Sequence, residues 1–141
     1  MAVLNAYLNF NGNTEEAFNF YRSVFGGQFI VIQRFKDTGA AAHIPAQDQE
    51  KIMHVALAVG GGVLMGTDSL ESLGQKLVQG NNFYLFLKPE SESEATALFA
   101  ALSAGGKIEQ PLEKVFWGSL FGSFRDKFGV QWMVNYEYPK P

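Results

Sequence analysis

The sequence contains no cysteine at all. Disulfides, iron–sulfur clusters, thiolate zinc sites and thiol nucleophiles are therefore excluded together. Histidine is scarce, with only His43 and His54, which leaves little room for a histidine-rich metal centre. Positive charge is also short. Eleven Lys and Arg stand against fourteen Asp and Glu, a net charge of −3, so no electrostatic footprint for nucleic acid is present. No apolar run reaches the roughly 18 residues of a membrane span. The opening MAVLNAYLNF has neither a basic stretch nor a cleavage site, so a cytoplasmic location is expected.

Aromatic residues are abundant. Thirteen Phe contribute to 14% aromatics in a chain of 141 residues, beside fifteen Gly. A chain of this length and composition suits one compact globular domain. Most of the rings are expected in the core, but some can line a ligand cavity, because such cavities are largely apolar and aromatic.

The chain reads as a repeat. AYLNF (6–10) alternates as a strand, and Asn13 three residues before Glu16 predicts a capping box. Ala17, Phe18, Tyr21, Val24 and Phe25 form a helical stripe that Gly26-Gly27 ends. Strands are predicted over 28–35, 52–59 and 63–67, with 36–50 as a mobile loop. A linker over 68–81 has room for a short helical turn. The order then restarts: a strand over 82–88, a capping box at Ser91 and Glu94, and a helix carrying Ala95, Leu98, Phe99 and Leu102. Gly105-Gly106 ends that helix, and three more strands follow. Two βαβββ modules in one domain are implied, the first over about 1–68, a linker over about 69–81, and the second over about 82–138.

Strand alternation sorts the side chains into two faces. Leu8, Phe10, Phe83, Leu85, Leu87, Trp132 and Val134 are expected under the helices. The other face would present Asn5, Tyr7, Asn9, His54, Asn82, Tyr84, Phe86, Gln131, Met133 and Asn135. This mixture of amides, phenols, an imidazole and rings suits a small-molecule site; a modestly hydrated face at a dimer contact is the plainer alternative.

Individual residues carry two readings each. His54 is either a general base or a satisfied structural histidine. Asp68 either caps a turn or meets a polar ligand. Trp117 either stacks on a flat ligand or buries at a dimer seam. Phe116, Trp117, Phe121 and Phe124 are the rings best placed for work outside the core. Arg125-Asp126-Lys127 reads as a charged turn contributing mainly solubility, and Glu15, Glu16, Glu92 and Glu94 suit helix N-termini rather than a catalytic pair.

The stretches YLNFNGNTEEAFNFYRSVFGG (7–27), IMHVALAVGGGVLMGTD (52–68) and FWGSLFGSFRDKFGVQWMVN (116–135) resemble the vicinal oxygen chelate superfamily. This superfamily includes glyoxalase I, extradiol dioxygenases and bleomycin-resistance proteins, and the likeness is to its PhnB-like branch. The resemblance implies an α+β fold, two βαβββ modules forming an open, cup-shaped mixed sheet with helices on the outer face, often as a homodimer. Metal-dependent members place His and Glu on the first, fourth, fifth and eighth strands. Those positions fall here on Asn5, Leu64 or Met65, Asn82 and Met133, none of them His, Asp or Glu. No metal and no cofactor are therefore expected, with a displaced site on His54 plus Asp68 or Glu109 as the alternative. A methyltransferase label has also been used for this branch. Gly60-Gly61-Gly62, however, lies between two predicted strands, not between a strand and a helix as a cofactor loop would require. The leading expectation is a metal-free homodimer binding a small molecule through Asn5, Tyr7, His54, Asp68, Asn82, Tyr84, Phe86, Trp117, Phe121, Gln131 and Met133. The alternatives are an enzyme with unmapped metal ligands or His54 as acid–base, and a structural dimer without ligand.

Overall fold

The computed structural model describes residues 1–39 and 41–140. The chain divides into two compact units, Met1–Val78 and Gln79–Pro141. The first contains β1 (Ala6–Phe10), α1 (Thr14–Phe25), β2 (Phe29–Arg34), β3 (Ile52–Val59) and β4 (Gly62–Asp68). The second contains β5 (Leu85–Leu87), α2 (Glu92–Ser103), β6 (Lys107–Val115), β7 (Ser119–Arg125) and β8 (Gln131–Glu137). Sheet order is β1-β4-β3-β2 in one and β5-β8-β7-β6 in the other. In each sheet the first strand runs parallel to the fourth and the remaining pairs are antiparallel. The fold is thus α+β, built from the two open βαβββ modules that the repeat implies.

Each helix buries one stripe against its own sheet. Ala17, Phe18 and Tyr21 of α1 are fully buried, and Phe18 meets Phe10 and Tyr21 edge to face. The ring of Phe18 comes so close to β4 that a Cβ on Gly66 would lie 2.5 Å from it. Ala95, Phe99 and Leu102 are the buried stripe of α2. Phe99 likewise needs a bare backbone beneath it, since a Cβ on Gly122 would stand 2.6 Å from its ring.

The two helix starts differ. Ser91 Oγ accepts from the Glu94 N–H at 3.0 Å, and the Glu94 carboxylate accepts from the Glu90 N–H at 2.8 Å. This is the predicted capping box with its return bond one residue early. The capping box predicted at Asn13 is not formed, because Asn13 makes no side-chain cap bond. Asp68 takes its place: Oδ1 accepts both the N–H and the hydroxyl of Thr14, at 3.0 and 2.6 Å.

Four further expectations are corrected. The region 36–50, read from the sequence as a loop without period, carries local structure in its described residues. It contains short 3₁₀ turns at Phe35–Asp37, Ala41–His43 and Ala46–Asp48. Phe35 and Ile44 pack there with Leu70 and Met53. The Gln49 amide donates to the carbonyls of Ala41 and Ile44, and the Asp48 carboxylate pairs with Lys51 and Ser72. Strand β5 is three residues long, and Phe83 is exposed rather than under α2. The Gln131 side chain, not a strand ladder, takes the Phe83 carbonyl at 2.6 Å. Phe124 belongs to the core, fully buried and edge to face with Phe99 at 5.1 Å. Finally, Arg125-Asp126-Lys127 is more than a solubilising turn. Asp126 is buried, its Oδ1 accepts the N–H groups of Phe128 and Val130, and its Oδ2 accepts the indole N–H of Trp132.

Candidate functional site

In each unit the helix covers one sheet face and leaves the other to the remaining alternate residues. In the first unit Leu8, Val55, Leu57, Leu64 and Gly66 share the face under α1. Tyr7, Asn9, His54, Ala56, Met65 and Thr67 therefore share the helix-free face, with Tyr7 beside Met65, Asn9 beside Thr67 and Gln33 beside His54.

Tyr7 and His54 form the centre of this face. The phenol oxygen and His54 Nδ1 are 3.1 Å apart, and the two rings stack at 5.6 Å between centroids with 20° between planes. Partial burial pushes the Tyr7 phenol above its ordinary value, and a hydrogen bond with Thr67 opposes that push. Tyr7 is thus neutral at physiological pH. The pair offers a flat, half-exposed surface with a hydroxyl and an imidazole at its edge, an arrangement suited to a flat ligand or to moving one proton.

Two expected members of this face are placed elsewhere. Asp68 lies on the α1 side, nearly fully buried, and its Oδ2 accepts the Ile52 N–H at 2.8 Å while Oδ1 holds Thr14. Its role is structural, and it does not converge with His54. Asn5 precedes β1, and its side-chain oxygen accepts from the Val63 N–H at 3.2 Å, tying down the start of β4. Thr67 and Gln33 were not singled out by sequence reasoning. The β3 register would have revealed them, but register is not readable from one strand alone.

In the second unit the helix-free face carries Phe86 beside Met133, Ser123 beside Met133, Phe121 beside Asn135 and Arg125 beside Gln131. Gln131 is already engaged on both ends: its amide nitrogen holds Phe83 and its oxygen accepts from Arg125 Nη2 at 2.9 Å. The Tyr84 hydroxyl donates to Glu109 Oε1 at 2.9 Å, and that bond raises the phenol's pKa. Asn82 is exposed and lies outside the shortened β5. Asn135, which strand alternation assigns to this face, is buried there, and so is Ser123, which the sequence did not single out. Trp117 sits at the β6–β7 turn, half exposed, packed edge to face against Phe116 at 4.9 Å and Phe121 at 5.9 Å.

The residues present do not suit a divalent ion. Among the described residues no three His, Asp or Glu side chains converge. Of the positions matching the metal-dependent pattern, Leu64 is buried under α1, Asn5 is spent on Val63, and Met65 and Met133 offer only thioethers. A nucleotide-like methyl donor finds no glycine-rich strand-to-helix loop either. Gly60-Gly61-Gly62 joins antiparallel β3 and β4, and the turn before α1 has one glycine and a helix start already holding Asp68. No described helix is long and apolar enough to cross a membrane.

Comparison with known proteins agrees with this architecture. Residues 3–135 match the profile of the family described as 3-demethylubiquinone-9 3-methyltransferase. The chain is 30% identical to protein YjdN of Escherichia coli strain K12, over 98% of this chain and 97% of that one. Protein PA1353 from Pseudomonas aeruginosa is 38% identical, with a TM-score of 0.86 and coverage of 97% and 98%. A PhnB protein from Bacillus cereus is 26% identical, with a TM-score of 0.77 and coverage of 96% and 99%. At lower identity, solved structures of glyoxalase-related and glyoxalase/bleomycin resistance/dioxygenase proteins share the fold. The chain belongs to the family of this profile, whose description the PhnB protein also carries.

Proposed function

We propose that this member of the PhnB-like family is a metal-free homodimer that binds a small, partly aromatic molecule on the helix-free sheet faces. The observation that carries the reading is the stacked, hydrogen-bonded Tyr7–His54 pair, which offers a flat surface and two polar handles on a face shared with Ala56, Met65 and Thr67. Exposed Phe83, Phe86, Phe116 and Trp117 support a self-association surface in the second unit. The family description mentions methyl transfer, but the residues of this chain do not fit the cofactor that such a step would need.

The test combines two measurements. Elemental mass spectrometry on protein purified without chelator is expected to find metal far below one ion per chain. Thermal shifts with a panel of phenols and flat heterocycles are expected to find stabilising ligands whose effect is lost in Tyr7→Ala. Near-stoichiometric metal, or shifts unchanged in Tyr7→Ala, would overturn the reading. Sedimentation velocity checks the dimer. A second reading, proton transfer by His54, is favoured by the Tyr7–His54 hydrogen bond. It requires turnover that is lost in His54→Gln while ligand binding is kept.

A further inference from the structure

We infer that the helix-free face of the second unit holds a site for a neutral aromatic carboxamide, a flat ring carrying a donor and an acceptor side by side. The inference rests on the small-molecule reading of these faces, but on none of the residues of the Tyr7–His54 pair. The buried polar side chains of this unit fall into two groups. Asp126 and Gln131 are spent inside the chain, on Phe128, Val130 and Trp132 and on Phe83 and Arg125. Ser119, Ser123 and Asn135 are 2%, 5% and 8% exposed, and among the described residues their side chains make no hydrogen bond. A buried polar group without a protein partner takes water or a ligand instead.

All three lie on the same face. Gly122 and Phe124 of β7 meet Phe99 of α2, so Ser119, Phe121 and Ser123 alternate to the side without a helix. Asn135 stands directly opposite Phe121 across β7 and β8. The polar ends of the three also open outward. Among the described residues only the Tyr138 hydroxyl is both sealed from the surface and without a partner. The two serine hydroxyls and the Asn135 carboxamide, equally without a partner, therefore keep access to the surface.

Their neighbours fix the class of ligand. Phe121 stands between the two serines along β7, and Trp117 packs edge to face against it at 5.9 Å. A flat ring set against these rings brings its substituent to Asn135. A carboxamide is self-complementary: the Asn135 oxygen accepts an N–H of the ligand amide while the Asn135 nitrogen donates to the ligand carbonyl. The serine hydroxyls either donate or accept, and so serve the lone pair and the N–H that remain. Glu113 stands opposite Phe121 on β6 and makes no ion pair among the described residues, so its charge disfavours an anion here.

The test is an amide NMR titration of the full chain with benzamide. Saturable shifts concentrated at Ser119, Phe121, Ser123 and Asn135 are expected. Acetophenone keeps the ring and the carbonyl but has no N–H, and benzoate replaces the amide by a charge; each should bind about tenfold more weakly. Asn135→Leu should bind benzamide at least about tenfold more weakly while unfolding at the same or a higher temperature, because the chain itself offers the amide no partner to lose. Scattered or non-saturating shifts, acetophenone or benzoate binding as tightly as benzamide, or unchanged binding in Asn135→Leu would overturn the site. A lower unfolding temperature in Asn135→Leu would also overturn it, by making Asn135 structural. Because the ligand comparison uses the unaltered protein, a misfolded variant does not spare the proposal. Shifts centred on Tyr7 and His54 instead would keep the small-molecule reading and overturn this assignment. Shifts at Asn135, together with phenols and heterocycles indifferent to Tyr7→Ala, would do the reverse.

Discussion

The two units share a strand order, and in each a buried aspartate at or just after a strand end holds three donors, yet Asp68 and Asp126 do different things. Asp68 ends β4 and fastens the start of α1 and the first residue of β3, through Thr14 and Ile52. Asp126 follows β7 and fastens the turn into β8 together with the indole of Trp132. The repeat preserved the topology and the need for a lock, while the lock itself was solved locally. Each carboxylate satisfies three donors that would otherwise be unpaired in poorly hydrated surroundings.

This contrast predicts an order of effects. Asp126→Ala strands two backbone N–H groups and a buried indole N–H, and should cost roughly 3 kcal/mol or more. Asp68→Ala should cost about 2 kcal/mol, because the Thr14 hydroxyl can turn to another acceptor while the indole cannot. Urea unfolding of the two variants checks the ranking. A larger loss at Asp68 would show that the helix start, not the β7–β8 turn, is the tighter lock.

The glycines under the helices sharpen the comparison. Gly66→Ala drives a methyl into the Phe18 ring, and Gly122→Ala drives one into the Phe99 ring, with β6 backbone also within 3.1 Å. Each is expected to cost about 1–3 kcal/mol by overpacking. The double variant Gly66→Ala with Phe18→Leu should recover part of the loss, because the two positions share one contact. Full additivity in thermal unfolding would mean that the backbone, not the ring, absorbs the clash.

The topology was legible because it is carried by periodicity. Alternation at Leu8 and Phe10, the stripe at Ala17, Phe18 and Tyr21, and the glycine pairs after both helices are local signals, and the duplication repeats them. The locks and the site were less legible because they depend on contacts across long sequence separations. Nothing near Asp68 says that its partner is Thr14, 54 residues away, and nothing near Gln131 says that its amide is spent on Phe83, 48 residues away. Tyr7 and His54 could be assigned to one face by alternation. Their stacking needed the order β1-β4-β3-β2, which single-strand patterns do not contain. The Arg-Asp-Lys turn misled for the opposite reason: its charges look solvent-bound until the fold turns Asp126 inward.

The helix caps give a smaller and cleaner contrast. Ser91→Ala removes the bond to Glu94 N–H and should destabilise by about 1 kcal/mol. Asn13→Ala removes no side-chain cap bond and should stay within about 0.5 kcal/mol of the parent. Equal losses in the two variants would indicate that Asn13 supports the turn before α1 in another way.

The smallest expected effect separates charge from capping in the first turns of the helices. In α1, Arg34 makes a two-pronged bond to Glu15, at 3.0 and 2.6 Å, which holds the Glu15 carboxyl below its usual range. A carboxyl depressed in the folded state contributes stability above its unfolded pKa and loses it as pH falls through the folded value. The advantage of the parent over Glu15→Gln should therefore be present at pH 7, begin to fall as pH drops below about 4.3, and be gone once pH lies below the folded value. Because the Glu15 side chain is 44% exposed, that advantage should be about 0.5 kcal/mol or less and shrink with added salt. In α2 a first-turn acid, Glu94, is spent on a backbone N–H instead of a cation. Glu94→Gln keeps an acceptor there, so its small cost should depend less on salt than that of Glu15→Gln. Chemical unfolding at low and high salt distinguishes them, and the same salt dependence in both variants would mean that Arg34 contributes by position rather than by charge.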